Sequence, residues 1–202
     1  MKKKNYSKKS LSVKDLITTG IFSALLFIAI MIGGIPFATN PITTFYMPVG
    51  ASLLGGPIFL LLVAKVQKPG SITIAGVLCG IIFFATGMHW GMDIGIAIGG
   101  FIGDIIASNK KYKNIKNNII AYNFLCLGLT GTYISYFINP EKWSRYMLNG
   151  GTDINYINTM NSVAHNWMLI VIILGTIVIA TISGLIGKKL LKKQFEKAGI
   201  IS

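Results

Sequence analysis

Residues 91–108 read GMDIGIAIGGFIGDIIAS, and this stretch decides the class of the protein. It is apolar except for Asp93 and Asp104. His89 and Trp90 precede it, and Lys110, Lys111, Lys113 and Lys116 follow it. An apolar run of roughly 17–25 residues is long enough to cross the ~30 Å hydrocarbon layer of a membrane as a helix. Glycine recurs every fourth position at Gly91, Gly95, Gly99 and Gly103, with Gly87 before and Ala107 after. On a 3.6-residue helix that spacing drifts only ~40° per step, so it makes a smooth strip where another helix backbone can approach closely. The expected role of the strip is packing within a bundle.

The whole chain agrees with this stretch. Of 202 residues, 52% are hydrophobic and 12% charged, about half the ~25% charged share of a soluble domain. Mean hydropathy is +0.63. Net charge is +13, but a nucleic-acid binder carries such an excess on a polar background, so nucleic acid is excluded as a partner. Disorder is excluded because disordered chains are poor in apolar residues. Cys79 and Cys126 lie in apolar runs and form no disulfide framework, CxxC pair or metal spacing.

Six apolar runs predict spans at about 13–34, 45–64, 70–87, 91–108, 118–138 and 164–187. The first is expected to be retained rather than cleaved, since its core is too long for a secretory signal. Alternating the runs across a bilayer places 17 of the 19 cations on one side, leaving only Lys142 and Arg145 on the other. The positive-inside rule makes the crowded side cytoplasmic, with both termini there. The expected fold class is therefore all-α: a polytopic membrane protein with six transmembrane helices in a compact bundle. A basic segment at 1–12 and a basic tail at 188–202 flank a single domain at 13–187.

The outer side carries loops at 35–44 and 139–163. The second holds Trp143, Tyr146, Met147 and Tyr156, and is read as a lid, because long loops are usually functional or disordered and this one is aromatic. Trp90, Trp143 and Trp167 all fall at the outer ends, as an interfacial belt or as pocket lining. Ionisable residues within spans are candidates for function. Asp93 and Asp104 share a helix face ~16 Å apart, too far for a hydrolytic carboxylate pair. Asp104 is expected to cap the inner end or meet the following lysines, and Asp93 to meet ligand or a structural partner. His89 and His165 also lie outward, without the spacing of a metal motif, so no metal site is expected. Met47, Met88, Met92 and Met168 crowd the same level as apolar filler or as soft ligands. There is no GxSxG and no P-loop, so the chain holds no ATPase of its own and catalysis is not expected.

Three strings then resemble a known family: VKDLITTGIFSALLF at 13–27, MPVGASLLGGPIFLLLVAKVQKPG at 47–70 and ATGMHWG at 85–91. They resemble the Trep_Strep family of bacterial integral membrane proteins, which is similar to the substrate-binding S components of energy-coupling-factor (ECF) transporters. The resemblance implies a subunit of the bacterial cell membrane that captures a vitamin or other micronutrient from outside. It implies as partners a membrane coupling subunit and two cytoplasmic ATPase subunits, which hydrolyse the ATP. It also implies that small residues of the first helix, Gly20 and Ala24 with Ser23 beside them, contact the coupling subunit. The expected substrate site joins Tyr46, His89, Trp90, Asp93, Trp143, His165 and Trp167. Few charges there point to an uncharged or weakly anionic ligand with apolar or aromatic surface. The competing expectations are a small membrane enzyme acting on a lipid-linked substrate through Asp93 and His89, and an accessory membrane protein with no small-molecule ligand.

Overall fold

The computed structural model describes residues 10–197 and 199. Lys2, Lys3, Lys4, Lys8 and Lys9 of the expected basic segment lie outside the described residues, as do residues 198 and 200–202 of the expected tail.

Among the described residues every regular element is helical. Helix α1 (Val13–Ala38) starts at a capping box: Ser12 accepts from the Asp15 amide while Asp15 accepts from Ser12. It continues through Pro36 and so takes in part of the expected 35–44 loop. A short 3-10 turn (Thr44–Tyr46), α2 (Met47–Ala51) and α3 (Gly55–Lys65) together make one apolar stretch of 22 residues. Helix α4 (Ser71–Ala85) has only 15 residues, ~22 Å of rise. Helix α5 is Trp90–Ser108, and α6 (Ile115–Gly128) and α7 (Gly131–Ile138) meet at a 43° bend. Helices α8 (Pro140–Asn149) and α9 (Ile154–Val163) are short and polar; α10 (Trp167–Leu190) is long and apolar, and α11 (Lys192–Lys197) follows it. Four helical stretches are long and apolar enough to cross a membrane, or five with the bent pair counted as one. The remaining expected run, 70–87, is the shorter α4.

Two expected boundaries change. Residues 139–163 are two helices rather than a loop. Asn139 caps α8, its side chain accepting from the Lys142 amide with Pro140 in the first turn, and Asp153 caps α9 through the Asn155 and Tyr156 amides. The boundary expected at 187/188 falls inside α10, and Phe195 of α11 is fully buried.

Helix α5 lies between α4 and α6–α7. In lipid, helices associate through close packing rather than the hydrophobic effect. A Cβ at Gly95 would meet the Gly128 carbonyl, at Gly99 the Phe124 carbonyl, and at Gly91 the Gly131 carbonyl. The glycine strip is thus a backbone-to-backbone seam inside the bundle. On another face of α5, Gly100 meets Gly76 of α4 in the same way.

The lysine-rich end of the bundle is tied together by carboxylates. Asp15 pairs with Lys68, joining the start of α1 to the α3–α4 connection. Asp104 accepts from the Gly70 amide at 2.6 Å, the Thr73 hydroxyl at 3.1 Å and the Tyr112 hydroxyl at 2.8 Å. Those bonds hold a strained turn, since Lys111 and Tyr112 sit at φ 54° and 62°, in the left-handed region.

Candidate functional site: two cavities that share His89 and Trp143

At the lysine-poor end α8 and α9 fold over the bundle. Trp143 of α8 is 5% exposed. Its indole N–H donates to the Thr132 hydroxyl at 3.0 Å, and its ring meets Tyr136 edge-on at 5.3 Å. Helix α9 is held by the Tyr156 hydroxyl, which donates to the Ala38 carbonyl at 2.6 Å. The Tyr136 hydroxyl donates to the Asn161 side chain at 2.8 Å. Beneath α8 the Tyr133 hydroxyl donates to the Thr44 carbonyl, tying α7 to the 3-10 turn.

Two cavities lie here. One, of about 240 Å³, is lined by Trp90, His89, Trp143 and Tyr146 together with Ser135, Ile138, Asn139 and Lys142. The other, of about 270 Å³, is walled by Met47, Met88, Met92 and Met147 and by Thr44, Thr132, Tyr133 and Tyr156 among others. His89 and Trp143 line both. The aromatic cavity is built largely from exposed residues and the methionine cavity largely from buried ones. No Asp or Glu lines either cavity among the described residues.

His89 is the hinge of the arrangement. It is the N-cap of α5: its Nδ1 accepts from the Gly91 amide at 3.0 Å. That bond places the imidazole proton on Nε2, leaving an N–H donor on a ring that lines both cavities. Its neighbours are aromatic, with ring centroids 4.8 Å from Tyr146, 5.1 Å from Trp90 and 6.0 Å from Trp143. The imidazole is 3% exposed, and this burial pushes its pKa down to about 4, so it is neutral near pH 7.

The structure brings together His89, Trp90 and Trp143 of the expected substrate residues, and does not bring the others to them. Asp93 is one turn beyond His89 but faces away from both cavities. Its two carboxylate oxygens are buried with no hydrogen-bond partner. His165 and Trp167 stack on each other at 6.3 Å, both exposed, at the start of α10. Tyr46 is half-buried in the 3-10 turn and lines neither cavity. Among the residues expected to touch a partner, Gly20 and Ala24 look outward, and a Cβ at Gly20 would meet nothing. Ser23 turns inward and donates to the Thr19 carbonyl at 2.7 Å.

The model of Trep_Strep, described as a hypothetical bacterial integral membrane protein family, matches residues 13–197. The chain belongs to this family. The match takes in all the helices that shape the Trep_Strep site, from α1 to α9. Neither curated proteins nor solved structures give a match.

Lining residues missed from the sequence include Thr132, Tyr133, Asn139 and Lys142. The Asn139–Pro140 helix start was the available signal for the last two: a helix there places Lys142 and Trp143 on its first turn.

Proposed function

We propose that this membrane protein is the substrate-capturing S component of an ECF-type importer. A small molecule enters at the lysine-poor, extracellular end and is held between His89 and Trp143, with α8 and α9 as its cover. Residues outside the two cavities, Gly20 and Ala24 on α1, give a smooth surface for a membrane coupling subunit. Two cytoplasmic ATPase subunits supply the ATP hydrolysis, and the chain itself catalyses nothing and needs no cofactor. The observation that carries this reading is the pair of adjoining cavities beneath two helices at one end of the bundle, sharing His89 and Trp143. Such concave, mostly apolar sites with a few placed polar groups are where small ligands bind.

The test is uptake. Co-expression with a coupling subunit and an ATPase pair gives ATP-dependent accumulation of the substrate in vesicles. Replacing both Gly20 and Ala24 by Leu abolishes accumulation while leaving the isolated chain folded, because neither position is packed. ATP hydrolysis by the purified single chain, or wild-type uptake by the double variant, would contradict the reading.

A further inference from the structure

The donor and acceptor inventory of the aromatic cavity identifies its ligand more narrowly. Its one charged lining residue among those described is Lys142, whose ammonium donates only. His89 offers a second donor, Nε2–H, because Nδ1 already accepts from the Gly91 amide. The nearby acceptors are partly occupied: the Asn139 side-chain oxygen takes the Lys142 amide at 2.9 Å. The Ser135 hydroxyl gives its proton to the Gly131 carbonyl at 2.9 Å. No carboxylate lines the cavity to neutralise Lys142 or to welcome a cation. The walls are the rings of Trp90, Trp143 and Tyr146, surfaces that suit a flat π-system.

The methionine cavity shares His89 and Trp143 but has no charged lining residue among those described. Three of its hydroxyls are engaged within the protein: Tyr133 to Thr44, Tyr156 to Ala38, and Thr132 as acceptor from Trp143. Four thioethers add soft, uncharged surface. The two cavities therefore sort a ligand by polarity, with anionic groups admitted on the Lys142 side only.

We infer that the aromatic cavity is a subsite for an aromatic anion, such as an aromatic carboxylate, its ring against Trp90, Trp143 and Tyr146 and its negative group between His89 Nε2–H and the Lys142 ammonium. This inference names the ligand class for the capture reading above and rests on it.

The test uses the full chain in phosphatidylcholine nanodiscs, with empty nanodiscs as the blank for partition into lipid. Isothermal titration compares naphthalene-2-carboxylate, naphthalene-2-carboxamide and 2-naphthylmethylamine, three probes alike in shape and different in charge. The carboxylate binds about tenfold tighter than the amide, the equivalent of ~1.4 kcal/mol, at the low end for a hydrogen bond to a charged group because Lys142 is exposed. Lys142→Gln removes that preference. Arg145→Gln, which changes the other cation of this end but lines a different depression, retains it. Equal affinities for carboxylate and amide, tightest binding of the amine, no binding of any probe, or a preference that survives Lys142→Gln would each overturn the subsite. ATP-driven uptake of a substrate indifferent to Lys142 would overturn the subsite alone. A carboxylate preference in a chain that supports no uptake would leave the subsite standing and overturn the capture reading.

Discussion

Asp104 and Asp93 lie on one helix, at opposite ends of it, and live in opposite circumstances. At the lysine-rich end Asp104 collects three hydrogen bonds from three segments, and Asp15 pairs with Lys68 beside it. At the other end Asp93 is buried with both oxygens unpartnered, and two cavities open between α5, α7 and α8. At the first end the carboxylates tie separate stretches of the chain together, although the Asn118 side-chain oxygen nearby is buried without a partner. At the second, donors are left over.

The contrast can be broken most forcefully at Asp104. Asp104→Ala leaves the Gly70 amide and the Thr73 and Tyr112 hydroxyls without their acceptor and frees the left-handed turn. It is expected to lower unfolding free energy by ~3 kcal/mol, read as a large fall of Tm in detergent.

A smaller effect is expected at His89. Its folded pKa of about 4 lies below the ~6.5 of an unfolded histidine, so the unfolded chain binds the extra proton first. The His89 contribution is complete above about pH 6.5 and declines as pH falls towards 4, amounting to ~1–2 kcal/mol between pH 7 and 5. The difference in this slope between wild type and His89→Gln, measured by thermal unfolding across that range, isolates the contribution. An equal slope in both would show that the imidazole is not buried as a neutral group.

The smallest effect belongs to Asp93. Asp93→Asn removes a carboxylate that bonds nothing, so stability changes by less than ~1 kcal/mol. A loss as large as that of Asp104→Ala would mean that Asp93 has a partner and that the two ends are alike.

Much of the frame was legible in residue order. Apolar runs located the long helices, and the Gly91–Gly103 spacing announced the seam with α6 and α7, since a repeat of four maps to one helix face. The breaks were harder. The second run divides at Ser52–Leu54, and α8 and α9 escaped notice because ten residues of mixed polarity with one buried face carry no long apolar signal. Their caps, Asn139 before Pro140 and Asp153, were nevertheless in view.

The site was half legible. Position alone suggested His89, Trp90 and Trp143. Asp93 lines neither cavity, since one residue beyond Met92 turns a helical side chain by ~100° from the one that lines the methionine cavity. His165 and Trp167 share the aromatic signature of pocket residues but stack in the open at the start of α10. Of the four methionines placed at one level from residue order, Met47, Met88 and Met92 line one cavity; the fourth there is Met147, and Met168 lines neither cavity.

Whether a small molecule is held at the lysine-poor end is read by native mass spectrometry of the gently purified protein. A discrete small molecule is expected on the wild type and on Asp93→Asn, and is expected to be lost from Trp143→Ala, which removes an indole that lines both cavities. A wild-type protein that carries nothing under conditions preserving the fold, or a ligand equally retained by Trp143→Ala, would contradict that expectation.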